Sequence, residues 1–140
     1  MTLDTCVLQG RAVARPPLFT KNFLEGLRRI NKLTIVTKTN DLLDEIYDAV
    51  QQYPKSEKYL LGADTKQAGL TFYRLIITAA KKYFKKTTLR DADVELVVLK
   101  NFIRIGHSRR YMNTKRYERL SRAIEEVGRM LGGWIQTTEK

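Results

Sequence analysis

The sequence predicts an all-α protein, an antiparallel up-down four-helix bundle, on three observations. Apolar residues recur at alternating spacings of three and four through most of residues 35–135, which is the period of one helix face and of an a/d packing seam. Two of the three prolines stand together at Pro16-Pro17, and the third, Pro54, falls between two periodic stretches, so no helix interior has to accommodate one. No segment of 35–135 shows the strict apolar–polar alternation of a half-buried strand.

The first helix is expected over 37–53, with Leu43, Ile46, Val50 and Tyr53 on its apolar stripe and Asp41, Asp44, Glu45 and Asp48 on other faces. Pro54 ends it, because the residue before a proline is pushed out of the helical region. A second helix is expected over 57–85, with Ser56 as its N-cap and Glu57 in the first turn. Its stripe runs Leu61, Thr65, Ala68, Phe72, Leu75, Ala79 and then Lys82 or Tyr83. Lys81, Lys82, Lys85 and Lys86 would fill its last turn, where cations meet the negative end of the helix dipole.

Thr88-Leu89-Arg90-Asp91 resembles a capping box and opens a third helix over 88–105, on a stripe of Leu89, Ala92, Leu96, Leu99 and Ile103. Val94, Val97, Val98 and Phe102 widen that stripe, which predicts burial on more than one side. Gly106 is expected to end it. The fourth helix, over 114–135, takes Asn113 as cap and the stripe Tyr117, Leu120, Ile124, Val127, Leu131 and Trp134. Each interior glycine costs about 1 kcal/mol relative to alanine, so Gly128, Gly132 and Gly133 call for a reason. Gly128 and Gly132 share a face and admit a close neighbour, within the subunit or between subunits. Alternatively Gly132-Gly133 caps the helix and Trp134 folds back over the bundle end. Gly128, Gly132, Gly133 and Trp134 are therefore the candidate residues for close packing or oligomer contact.

Residues 1–33 read differently, as a loosely structured leader with a short helix over 21–29, ahead of a bundle over 34–140. A chain of 140 residues with 43% hydrophobic content has enough apolar material for one core. No apolar run approaches the roughly 18–20 residues of a membrane span, and the charged N-terminal stretch does not read as a signal peptide. One cysteine, Cys6, and one histidine, His107, exclude an internal disulfide and a structural zinc site. No metal or cofactor is expected, and a reducing cytoplasm is the expected location.

The net charge of +11 is unevenly placed. Residues 54–88 carry eight cations against two acids, and 104–122 carry seven against one, with near-neutral stretches between. Two basic blocks on separate elements point to a polyanion-binding surface. Bundle topology sets the first and third turns at one end. Lys55 and Lys58 are thereby expected to gather with Arg104, His107, Arg109, Arg110, Lys115, Arg116 and Arg119. Lys81, Lys82, Lys85 and Lys86 fall at the other end. Ser108-Arg109-Arg110-Tyr111-Met112-Asn113 mixes guanidinium groups with an aromatic ring, a combination suited to RNA backbones and unstacked bases. The competing reading of these charges is a solvated turn that aids solubility.

Catalysis is weakly signalled. Helical nucleases with an arginine four to six residues before a histidine differ from this chain, where Arg104 lies three before His107. A lone histidine in a basic turn is more often a hydrogen-bonding group. A chorismate-mutase-like enzyme would need arginines and acids inside the bundle, whereas the stripes here are apolar apart from Thr65 and, on the second helix, Lys82.

Three stretches resemble a known family. They are Tyr53-Pro54-Lys55-Ser56-Glu57-Lys58-Tyr59, then Leu99-Lys100-Asn101-Phe102-Ile103-Arg104-Ile105-Gly106-His107-Ser108-Arg109-Arg110-Tyr111-Met112-Asn113, then Glu126-Val127-Gly128-Arg129-Met130-Leu131-Gly132-Gly133-Trp134-Ile135. The chain is similar over about 35–136 to the accessory variability determinants of diversity-generating retroelements, four-helix-bundle proteins of bacteria and phages. The wider kin includes the helical proteins of ribosomal-RNA intervening sequences. The resemblance implies a non-catalytic homopentameric ring that binds a reverse transcriptase and its template RNA; DNA is a further expected partner. It also implies that Arg109, Arg110, Lys115 and Arg116 face RNA or polymerase. The alternative is an intervening-sequence-type bundle, structural or RNA-binding, without a polymerase partner.

Overall fold

The computed structural model describes residues 34–138. The expected leader, with its helix over 21–29, lies outside them. Four long helices, α1 (Thr34–Gln51), α3 (Leu61–Lys81), α4 (Lys86–Ser108) and α5 (Thr114–Thr138), are joined by short turns, and one helical turn, α2 (Lys55–Lys58), sits between α1 and α3. No strand occurs among the described residues. Each long helix packs on its sequence neighbour, and α1 closes the ring against α5. This is the antiparallel four-helix bundle that the spacing predicts.

The core is built from the predicted stripes. Leu43, Ile46 and Val50 are buried on α1, and Tyr53 just past its end, two residues beyond Gln51 rather than inside the helix expected to reach 53. All five stripe residues on α4 are buried, and Leu120, Ile124, Val127 and Leu131 are buried on α5. Ile76 on α3 is fully buried beside Phe72 and Ala79, a position the expected stripe skips. Thr39 and Thr65 enter the core because each hydroxyl donates to the carbonyl four residues back, Ile35 and Leu61, at 2.7 Å. A buried hydroxyl without such a partner would cost about 1–3 kcal/mol.

Several boundaries differ from expectation. The second helix is broken at Tyr59 and Leu60, so α2 is a separate turn with Pro54 as its N-cap residue, and Ser56 provides no cap. Helix α3 ends at Lys81, four residues early, where Lys82 turns to extended backbone. Tyr83 is therefore outside the stripe and exposed, and so is Lys82. Helix α4 begins at Lys86, which leaves no capping box at Thr88. That residue is buried, and its hydroxyl accepts from Lys82 Nζ at 3.2 Å. Val94 and Val97 are 59% and 53% exposed, so among the described residues nothing covers α4 on that side, although Val98 and Phe102 are partly buried.

Gly106 does not stop α4, which runs on to Ser108. Its function is space: a Cβ there would overlap the Tyr53 hydroxyl and come within 3.3 Å of Met112 Cε. Nor do Gly132 and Gly133 cap α5, which continues to Thr138. A Cβ at either would meet nothing within 4 Å, and one at Gly128 would make ordinary contact, 3.5 Å from Leu96 Cδ2. Among the described residues, no close approach therefore accounts for these three glycines.

Candidate nucleic-acid interface

The turn after α4 is a helix stop of unusual composition. The amide of Arg110 donates to the His107 carbonyl and that of Tyr111 to the Gly106 carbonyl, each at 2.9 Å. Those two bonds make a Schellman motif, whose turning residue adopts left-handed backbone and is usually glycine. Here it is Arg110, at φ 65°. Asn113 then starts α5 as expected, its side-chain oxygen accepting from the Arg116 amide at 2.8 Å.

The first and third turns do meet at one end of the bundle. The rings of Tyr53 and Tyr111 lie 5.4 Å apart, and the His107 ring stacks on Tyr117 at 4.2 Å, almost parallel. His107 Nε2 is also 3.2 Å from the Thr114 hydroxyl. Around this cluster opens a groove of about 750 Å³, lined by Gln52, His107, Ser108, Arg110, Tyr111, Met112, Asn113, Thr114 and Arg116. Two polar atoms buried here lack a hydrogen-bond partner among the described residues, Arg116 Nη1 and the Tyr53 hydroxyl. The Tyr53 hydroxyl is pushed up to about 12 by burial, reinforced by Tyr111 beside it.

Of the residues expected to gather at this end, His107, Arg110 and Arg116 line the groove, while Arg109, Lys115, Lys55 and Lys58 lie on the turns or first helical residues outside its lining. Arg104 is held to the Asn101 side chain at 2.9 Å. Arg119 has a partner in α1: its Nε and Nη2 reach the Glu45 carboxylate at 3.0–3.2 Å, which makes it a tie between α5 and α1. Lys38 and Glu126 form a second tie between these helices, at 3.4 Å. Gln52 is a groove residue that the sequence does not single out, because a polar residue at a helix end has no periodic signature.

The other basic cluster is where expected in space but not in structure. Lys81 closes α3, Lys85 is the N-cap residue of α4 and Lys86 its first residue. The last two therefore face the positive end of the α4 dipole rather than the negative end of α3. Lys85 Nζ stands 5.8 Å from the centre of the Trp134 ring. Trp134 itself is partly buried and, with Thr34, Ile35 and Met130, lines a recess of about 420 Å³ at this end.

Apart from the Tyr53 hydroxyl, the buried polar side chains among the described residues are threonines, and the interior they form holds no arginine–acid pair for a small anionic substrate. The described residues also contain no cluster of metal-ligating side chains and no helix long and apolar enough to cross a membrane.

Fold and site together define a basic four-helix bundle with an open, cation-lined groove at one end. Comparison with known families then gives the particular. The bAvd-like family model matches residues 33–138, and the chain belongs to that family. Its resemblance to the accessory variability determinants is thereby borne out. A comparison with curated proteins finds no match.

Proposed function

We propose that this protein is a non-catalytic accessory of a reverse transcriptase in a diversity-generating retroelement. In this reading it binds the template RNA, associates with the transcriptase and supports mutagenic synthesis of complementary DNA. It acts in the cytoplasm of a bacterium or phage-infected cell, as a ring-shaped homo-oligomer that follows the family's pentameric pattern. Family membership supports the role of accessory. The observation that carries the binding surface is the pairing of Arg110, held in a left-handed conformation that arginine disfavours, with Arg116, whose Nη1 is buried without an acceptor. Both line one open groove. Strain and an unmet donor at the same place are features that folds retain at functional sites. A phosphate oxygen supplies the charge and the acceptor that Arg116 lacks. Arg109, Lys115, Lys55 and Lys58 extend the positive field around the groove.

Titration of the template RNA at several salt concentrations tests this reading. Each phosphate contacted by a single strand contributes about −0.7 to the slope of log K against log salt. Replacing Arg109 and Arg110 together by alanine should flatten the slope by roughly 1 to 1.5 units and leave helicity intact. The wild-type protein should also co-purify with the reverse transcriptase encoded beside it, and light scattering should report an oligomer. An unchanged slope refutes the groove, absence of the transcriptase refutes the accessory role, and a stable monomer at micromolar concentration refutes the ring.

A further inference from the structure

We propose a second nucleic-acid site at the opposite end of the bundle. The turn between α3 and α4, Lys81-Lys82-Tyr83-Phe84-Lys85-Lys86, takes unpaired strand: bases stack on Tyr83 and Phe84 while lysines meet the flanking phosphates. The proposal deepens the nucleic-acid reading above and rests on it, but it names a different surface and a specific state of the strand.

Tyr83 and Phe84 are the most exposed large hydrophobic residues described, at 87% and 83%. They contribute almost nothing to the core. Their rings pack edge to face, with centroids 4.7 Å apart and planes at 84°, an arrangement that fixes both rings while leaving aromatic faces open to solvent. The charge around them is one-signed. No acidic residue occurs between Asp64 and Asp91, an interval that holds seven lysines and arginines. Lys82 is engaged with Thr88 and Lys85 stands over Trp134, whereas Lys81 and Lys86 are exposed with no partner among the described residues.

Each of these features works against the isolated fold. Two aromatic side chains are left in water, four lysines repel one another, and two of them sit at the start of α4, where the helix dipole disfavours cations. Rules broken together at one turn mark a site built for something other than stability. The complementary ligand is anionic and presents flat apolar faces, which is the chemistry of unpaired nucleotides. A duplex offers the phosphates but keeps its base faces stacked on one another. An anionic membrane offers charge and an apolar interior, yet the turn is not one face of an amphipathic helix carrying an apolar stripe.

The test measures binding of the full-length protein to labelled oligo-uridine, oligo-deoxythymidine, a duplex of mixed sequence, and vesicles of phosphatidylserine and phosphatidylcholine. The variant Tyr83→Ala/Phe84→Ala should lose about ten-fold or more in affinity for both single strands. Its salt slope should stay unchanged, since stacking releases no counterions. Lys81→Gln/Lys86→Gln should flatten the slope by about 1.4 units. Phe84→Trp should keep the affinity, and single strands should quench emission from the new indole. Wild-type affinity in the aromatic variant overturns the proposal, and so does an equal loss on duplex. A loss confined to vesicles assigns the turn to a membrane surface, and a changed mass in light scattering assigns it to self-association; either overturns the proposal. If Arg109→Ala/Arg110→Ala loses binding while the aromatic variant does not, this site fails and the groove stands. If the wild-type protein binds no strand, both fail.

Discussion

Substituting Arg110 by glycine separates what the turn after α4 does for the fold from what it does for a ligand. Arg110 sits at φ 65°, where an L-residue with a Cβ is disfavoured by roughly 1–2 kcal/mol and glycine is not. Glycine returns part of that gain, because its unfolded chain has more freedom to lose, by about 0.5–1 kcal/mol. The Schellman bonds from the amides of Arg110 and Tyr111 involve backbone only and survive the change. The net expectation is stabilisation by about 0.5–1 kcal/mol, or a few degrees in melting temperature for a bundle of this size. The lost guanidinium should flatten the RNA salt slope by about 0.7 units if it contacts one phosphate. Urea denaturation followed by circular dichroism, at one fixed protein concentration, reads the first effect as a higher midpoint at constant m-value. Arg110→Asn should fall between the two in stability and match glycine in binding. A lower midpoint for Arg110→Gly would show that the turn holds no relievable strain. A higher midpoint with an unaltered slope would show that arginine occupies the position for a reason other than phosphate.

Three further outcomes follow from the packing. Gly106→Ala should lower stability by about 1–3 kcal/mol through overlap with Tyr53, even though alanine is the better helix former; Tyr53→Phe should recover part of the loss in a double-mutant cycle, and additive effects would refute the clash. Gly132→Ala and Gly133→Ala meet open space and should each strengthen α5 by up to about 1 kcal/mol while reducing the assembled mass in light scattering; unchanged assembly would remove these glycines from the subunit contact. Raising the pH should cost stability between about 10 and 12, because the unfolded chain releases the Tyr53 proton near 10 while the folded chain holds it to about 12. Stability is then full below 10 and falls by at most about 2–3 kcal/mol across that window, a fall that Tyr53→Phe should reduce in a pH series of denaturation curves.

The helix stripes were legible in the sequence because a buried helix face repeats at its own period, and that period survives whatever packs against it. Leu89, Ala92, Leu96, Leu99 and Ile103 illustrate this: all five are buried. Helix ends were less legible because tertiary context sets them. Nothing between Tyr59 and Leu61, or between Lys82 and Lys85, is glycine or proline, yet the backbone leaves the helix in both places. Gly106 looked like a stop because glycine usually supplies left-handed backbone, but here it makes room for Tyr53 and Arg110 does the turning. Val94 and Val97 show a different limit: an apolar side chain at helical spacing does not record whether anything covers it, and both are exposed. The candidate site was half legible. Charge blocks located the basic turns, but which cations line the groove depends on rotamers and partners, as the capture of Arg119 by Glu45 shows.

Helix α4 spans 23 residues between the two basic turns, which at 1.5 Å per residue sets them about 35 Å apart. That is roughly four screening lengths at physiological ionic strength, so charge neutralised at one turn is invisible at the other. Each therefore titrates with salt on its own terms. A single strand that touched both along one subunit would need about ten stacked nucleotides at 3.4 Å per phosphate. If both turns take strand as proposed, oligonucleotides shorter than that should occupy them independently, and the first length to bridge them should show a step in affinity.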